Sequence, residues 1–281
     1  FIDGDDWVDI DQYQAILDSA EQNQADIVFF GYVREDLEIG VARNVGLESV
    51  VGLDPAVLNS QLIAEMVGPS YLPSPFKGQE MLGAAPRRLF RQAFLLENQL
   101  RFPDEPLLED SPFALQSHMA AKNVSFNSVK PYHYRMNSES MTWKRRSGLF
   151  NQYKRLFQLI KDIISGATIT YSDDADAQRY VSYEALQRRL NAWFIRFAAH
   201  SALINSMQAN YTTSSTNRMA AVRIILDDPL VRQCVKESDL EDGSISDRLI
   251  LFLIKHRIMP LTVCFYHWYA RRLSSSSNLK R

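Results

Sequence analysis

The spacing of apolar positions changes along the chain, and each change predicts an element. Residues 25–33 read Ala-Asp-Ile-Val-Phe-Phe-Gly-Tyr-Val. So continuous a run, rich in β-branched and aromatic residues, predicts a central strand buried on both faces. Just before it, Tyr13, Ile16, Leu17 and Ala20 recur at helical spacing, which predicts a helix over 9–24 capped by Asp9 or Asp11. Residues 38–52 suggest an extended or hairpin segment. Residues 54–67 suggest a helix with Pro55 in its first turn. Gly68, Pro69, Pro73, Pro75 and Gly78 mark a loop long enough to cover a site.

The next stretch is expected to give a short helix over 86–98, a turn-rich connector over 101–106, a helix over 111–122, and one or two strands over 123–135. After Trp143 the pattern becomes helical throughout. It predicts an amphipathic helix at 147–165, a polar break at 167–175 and a long helix at 176–208. A Ser/Thr-rich turn at 212–216 and short helices at 217–226 and 230–238 follow. The last helix, 246–272, is expected to bend at Pro260, and the 274–281 tail to be disordered. Strand–helix–strand order up to about residue 143 defines an α/β part, and the remainder an all-helical part.

Composition narrows the function classes. The net charge of -2 gives no case for nucleic-acid binding. Cys234 and Cys264 fit no metal spacing and both lie in apolar surroundings, which reads as two buried thiols in a reducing compartment. No run of eighteen apolar residues is present, and the nearest candidate, 249–273, is interrupted by Lys255, His256, Arg257 and Pro260. The chain opens within what reads as a strand and is expected to be a fragment.

Three clusters could carry chemistry. The first is Phe1-Ile2-Asp3-Gly4-Asp5-Asp6-Trp7. If Phe1-Ile2 ends a buried strand, Asp3 and Asp5 project the same way at its mouth, and Gly4 admits a ligand to the backbone. Such oxygens suit Mg²⁺ or Mn²⁺, which in turn hold phosphates. A plain acidic turn capping the next helix is the competing reading. A calcium loop would need Gly at its sixth position and Glu at its twelfth, and the sequence has neither. A dehalogenase-type phosphatase, with Asp3 as nucleophile, would want Thr or Val after the second aspartate, where Asp6-Trp7 stands. The second cluster is Glu109-Asp110 before Pro112: either a helix N-cap or a general base at a helix start. The third is Tyr132-His133-Tyr134-Arg135 with Ser138 and Ser140. His133 is a metal ligand or a core histidine, and Arg135 a phosphate or carboxylate partner.

Taken in order, these pieces resemble family 2 glycosyltransferases of the bacterial polysaccharide type, which have the GT-A fold. Phe-Ile-Asp-Gly-Asp-Asp-Trp resembles their Asp-x-Asp strand end. Arg88-Leu89-Phe90, Phe94-Leu95, Leu100-Arg101-Phe102-Pro103, Glu109-Asp110 and Phe113 resemble the acceptor side. Tyr132 to Arg135 with the two serines resembles the closing segment. The resemblance covers about residues 1–143. It implies a truncated GT-A domain at 1–143 and an all-helical region at 144–281.

The implied activity is inverting transfer of a sugar from a nucleotide-sugar, usually a UDP-sugar, to a saccharide or lipid-linked acceptor, as in cell-surface polysaccharide synthesis. Asp5 and Asp3 would hold Mn²⁺ or Mg²⁺ and with it the donor. Asp110 would be the base, with Glu109 beside it. Arg87, Arg88, His133 and Arg135 would be phosphate or metal partners. The family's nucleotide-cradling half precedes the Asp-x-Asp motif, so this chain alone is expected to be inactive. A non-catalytic helical interaction module retaining a transferase remnant is the other class considered. Residues 245–272 combine apolar and basic side chains suited to a membrane surface, with a core helix as the alternative. The expected location is the cytoplasm, with peripheral contact at the inner face of the cytoplasmic membrane.

Overall fold

The predicted central strand is the spine of the sheet. In a computed structural model, which describes residues 1–50, 52–68, 72–105, 107–136, 147–166, 180–209, 215–238 and 244–278, it runs as β2, Ile27–Asp36. Its flanking strands are β1 (Trp7–Val8), β3 (Val41–Val45), β4 (Arg88–Phe90) and β5 (Val124–Arg135). The sheet order is β1-β5-β2-β3, with β4 also paired to β2. β5 runs parallel to β2, whereas β1, β3 and β4 pair antiparallel. β4 joins the first half of β2 (Ile27↔Phe90) and β3 the second (Tyr32↔Val45), so the two share one side of it.

Alternation along β2 sends side chains to two cores. Val28, Phe30 and Tyr32 pack with Ile16 of α1 (Ile10–Gln22) and with Tyr132. On the opposite face Phe29 packs with Leu58 and Leu62 of α2 (Pro55–Val67) and with Phe76, and Ile27 with Phe94 and Phe113. Asp9 caps α1 by accepting the Gln12 N–H at 3.0 Å. Opposite Gly31 the pairing slips, and β5 loops out between Asn127 and Tyr132. A Cβ at Gly31 would lie 2.8 Å from the Val45 carbonyl oxygen, so only glycine lets three strands pass there.

Several expected elements come out differently. Phe1 and Ile2 are half exposed and belong to no strand; the first strand follows the acidic turn. The helix expected over 86–98 is a 3₁₀ turn (Ala85–Arg87), then β4, then the short α3 (Gln92–Glu97). Antiparallel pairing with β2 overrides the helical spacing of Leu89, Phe90, Phe94 and Leu95. The expected helix at 111–122 is α4, Asp110–Ala120, and the segment 123–135 is the single strand β5.

Two compact units result. One comprises Phe1–Val67, Leu72–Trp143 and Asp162–Leu186; the other Gly68–Tyr71, Lys144–Lys161 and Gln187–Arg281. The helical region contains α5 (Leu149–Gly166), α6 (Tyr183–Trp193), α7 (His200–Ala209), α8 (Ser215–Leu226), α9 (Pro229–Glu237), α10 (Ile245–His256) and α11 (Met259–Asn278). Within the second unit, Phe157 meets Phe194 at 5.0 Å between ring centres, and Leu203, Leu226, Ile254 and Tyr266 are buried.

The long helix expected at 176–208 is interrupted by a π-helical stretch, Phe194–Ala199. The last expected helix is two, because Arg257 adopts φ 53° and ends α10; Pro260 then lies in the first turn of α11 rather than at a bend. The backbone stays helical over 274–278, in place of the disordered tail expected there, and 279–281 lie outside the described residues. Cys234 is buried as expected but Cys264 is exposed. Ser138, Ser140, the polar break at 167–175, residues 176–179 and most of the 212–216 turn lie outside the described residues.

Candidate active site

The acidic turn is held at both ends. The Asp6 N–H donates to the Asp3 carbonyl at 3.2 Å, closing the turn around Gly4. The Asp6 carboxylate accepts the Tyr132 hydroxyl at one oxygen and the Arg135 N–H at the other, the latter at 2.8 Å. Tyr132 is fully buried, and burial and the Asp6 bond raise its phenol far above the ordinary range, so it stays a donor. Asp6 is thus the anchor of the turn, while Asp3 and Asp5 are exposed. Asp3 Oδ2 also lies 3.5 Å from the Tyr132 hydroxyl. Partial desolvation, then the Asp6 and Asp5 charges, raise the Asp3 carboxyl above its usual value.

Asp110 approaches this turn from α4. The capping reading gives way, because the cap position is Glu109, which makes no side-chain capping bond. Asp110 Oδ2 instead accepts the Ala85 N–H at 3.3 Å, from the 3₁₀ turn before β4. Desolvation raises the Asp110 carboxyl, the Ala85 N–H lowers it, Glu109 and Asp3 raise it, and Arg88 lowers it. Glu109 in turn acts on Asp3. The two carboxylate pairs that are far apart in sequence therefore share one electrostatic neighbourhood. Aromatic packing agrees: the Phe1 ring meets Phe113 of α4 at 5.6 Å, Phe102 at 5.0 Å and Phe90 at 5.7 Å.

The basic residues fare differently. Arg87 and Arg88 are completely buried. The Arg87 guanidinium donates to the Glu80 carbonyl at 2.8 Å and the Phe30 carbonyl at 3.3 Å, and lies 4.5 Å from the centre of the Phe29 ring. Burial brings its pKa down to about 10. Both are committed to the interior, which removes them as phosphate partners. His133 faces Glu35, with Nδ1 at 2.8 Å from Oε1, and stacks on Trp7. With Asp9, Gln12 and Lys130 it lines a separate cavity of about 390 Å³. Arg135 is exposed, with its guanidinium 5.6 Å from the centre of the Trp7 ring. The site therefore brings together Asp3, Asp5, Glu109 and Asp110, with Arg135 beside them through its bond to Asp6; His133 has other company.

Among the described residues, no three His, Cys, Asp or Glu side chains converge to hold an ion. Two exposed carboxylates on one turn still fit the usual Mg²⁺ arrangement, in which one or two carboxylates share the ion with substrate phosphates and water.

No family model matches the chain. It is similar to two Bacillus subtilis proteins named as glycosyltransferases. Identity to EpsH is 21% over 274 residues, covering 96% of this chain and 72% of EpsH. Identity to EpsJ is 26% over 270 residues, covering 95% of this chain and 71% of EpsJ. Among solved structures, S. aureus TarS 1-349 in complex with UDP-GlcNAc matches with a TM-score of 0.56 at 14% identity, over 97% of this chain and 67% of TarS. A further structure of TarS 1-349 gives 0.53 at 13%, over 97% and 66%. The chain therefore shares the mixed α/β fold of TarS and is similar to named glycosyltransferases along nearly all of its length, while spanning about seven tenths of theirs.

Proposed function

We propose that this chain carries the metal and acceptor sides of a family 2, GT-A-type glycosyltransferase site. It would transfer a sugar from a nucleotide-sugar, as a UDP-sugar, to a saccharide or lipid-linked acceptor in cell-surface polysaccharide synthesis. One observation carries this reading: Asp110, at the start of α4 and not spent on capping it, belongs to the helix whose Phe113 packs at 5.6 Å against Phe1, two residues before Asp3 of the acidic turn. TarS, solved with UDP-GlcNAc and with UDP, is support for the donor class.

Asp5 and Asp3 are the residues to hold Mn²⁺ or Mg²⁺, which when bound neutralises the departing diphosphate. Asp6 keeps both carboxylates oriented through Tyr132 and Arg135. Arg135, exposed beside the turn, is the cation available to the donor phosphates. Asp110 takes the acceptor hydroxyl's proton as the new glycosidic bond forms, so that attack comes from the side opposite the leaving nucleotide and inverts the anomeric centre. A raised pKa makes Asp110 a stronger base than an ordinary aspartate. Glu109, exposed at the cap position, keeps that environment acidic. UDP release from UDP-GlcNAc by the full-length protein with Mn²⁺ tests the proposal: loss on Asp110→Asn is expected, and undiminished turnover refutes it.

A membrane-surface role for 245–272 rests on a separate observation. From Ser244 to Arg272 the one acidic residue, Asp247, is buried against Arg196. Ile245, Leu249, Phe252, Leu261 and Trp268 are exposed, as are Arg248 and Lys255. No described helix is long and apolar enough to cross a membrane. Within 244–272 no acid is exposed, although Arg257 pairs with the exposed Asp227 outside it, and exposed apolar and basic side chains suit an anionic lipid surface. Flotation with anionic liposomes tests it.

A further inference from the structure

Behind Asp110 lies a buried polar chain with no evident need to be polar. Asn59 of α2, His118 of α4 and Arg88 of β4 are all in the interior, Arg88 and His118 completely. The Asn59 amide donates to the His118 carbonyl at 3.1 Å, and its Oδ1 lies 2.6 Å from His118 Nδ1. An amide oxygen can only accept, so the proton is on Nδ1. Nε2 is then an acceptor, and it takes the Arg88 Nε–H at 2.8 Å. Burial and the Arg88 charge hold His118 well below its ordinary pKa, which keeps this tautomer neutral.

The far side of the Arg88 guanidinium donates to the Ala84 carbonyl at 2.6 Å and to the Leu82 carbonyl, with Met66 Sδ at 3.1 Å. It thus clamps the loop before β4. The next N–H in that loop, from Ala85, is the one that reaches Asp110. Gly83 lets the loop press against α4: a Cβ there would lie 2.6 Å from Ser111 Oγ.

Resting on the reading of Asp110 as the base, we propose that Arg88, oriented by His118 and Asn59, is a positioning residue. It fixes loop 82–85 so that the Ala85 N–H occupies Asp110 Oδ2 and leaves Oδ1 for the acceptor hydroxyl. The carboxylate is thereby held at one height and one rotation, which is what proton removal from a bound hydroxyl requires. The charged groups acting on Asp110 are Glu109 and Asp3, which raise its pKa, and Arg88, which with the Ala85 N–H lowers it. Desolvation is the largest raising influence and stays with the start of α4; loosening the clamp, by H118L or R88K, frees the Ala85 N–H, a lowering influence, while the positive charge at position 88 remains in both variants.

The test is the pH profile of UDP release from UDP-GlcNAc with Mn²⁺, measured for the full-length protein and for H118L, H118Q, R88K and D110N. H118L deletes the acceptor for Arg88. Its kcat is expected to fall roughly tenfold to a hundredfold, the scale of a small misplacement, with the donor KM little changed. The acid limb of kcat/KM should move up by about half a unit to one unit. H118Q offers an amide oxygen in place of Nε2 and should restore both. R88K keeps the charge but loses the fork, and should resemble H118L; it decides the matter if H118L does not fold. An acid limb that stays in place in both H118L and R88K overturns the proposal, whether activity is kept or falls equally at every pH. D110N separates the two levels: if it turns over normally the base reading fails, whereas an inactive D110N beside unshifted profiles removes the positioning role alone.

Discussion

Replacing Asp110 with asparagine isolates its chemical role from its structural one. The amide side chain keeps the shape of the carboxylate and an oxygen able to accept the Ala85 N–H, which lies 3.3 Å from Asp110 Oδ2. The start of α4 is also kept, since Asp110 does not cap it. What disappears is the capacity to take a proton. Loss of a general base costs about a hundredfold to ten-thousandfold, or roughly 2.7–5.4 kcal/mol at 1.36 kcal/mol per factor of ten. Stability should move the other way. Asp110 has a folded pKa above its unfolded value, chiefly through desolvation. The folded state therefore binds its proton more tightly than the unfolded chain does, a stabilisation present at low pH and lost as pH rises through the folded pKa. At neutral pH the ionised form is a burden that asparagine lacks, so the melting temperature of D110N should equal or exceed that of the wild type. UDP release and a thermal melt on the same preparation give both numbers. A D110N protein that turns over within threefold of wild type, or one whose melting temperature drops by several degrees, refutes the reasoning.

Three further outcomes are expected. Asp5→Asn should weaken Mn²⁺ binding by roughly tenfold or more, the scale of disturbing a group that tunes a metal site, as read by Mn²⁺ titration with UDP present; unchanged binding would remove Asp5 as a ligand. Tyr132→Phe leaves one Asp6 oxygen without its donor and should cost about 1–3 kcal/mol in urea unfolding, with the turn loosened enough to weaken Mn²⁺ binding as well; a change under 0.5 kcal/mol (roughly the scatter of surface substitutions) contradicts the anchoring role. The pair Leu261→Asp and Trp268→Asp should abolish flotation with anionic vesicles and leave UDP release with a soluble acceptor intact; flotation that survives points to a contact elsewhere.

The spine of the fold was legible because its chemistry is one-dimensional. A seven-residue apolar run, Ile27–Val33, has only the sheet centre as a home, and β2 occupies it with every one of those residues buried. The Pro55 and Pro112 starts of α2 and α4 were equally readable, since proline fits the first helical turn. Arg87 and Arg88 were not. The resemblance made them phosphate or metal partners, and only long-range partners, Phe29, Phe30 and His118, make the interior hospitable to them. Likewise the break between α10 and α11 lies in the left-handed backbone of Arg257, whereas Pro260 was the visible breaker.

Much of the site was readable in the same limited way. Asp3, Asp5, Glu109 and Asp110 stand out as acidic pairs at turn and helix boundaries, and the structure assembles them in one neighbourhood. Their support was hidden. Asp6 had no role of its own in the sequence reading, yet it anchors the turn to Tyr132, a partner 126 residues away. His118 carries no sequence signal, and its contacts come from Asn59 and Arg88 on two other elements. Sequence spacing carries local geometry well, but pairs that meet only through the sheet leave no local trace.

The central claim is that the acidic turn holds the metal-bound donor while Asp110 acts on the acceptor. Mn²⁺-dependent UDP binding and UDP-GlcNAc turnover, measured together on the full-length protein and on D5N and D110N, test it most directly. The account predicts that D5N loses both, whereas D110N binds UDP like the wild type and fails to turn over. Wild-type binding by D5N, or wild-type turnover by D110N, contradicts it.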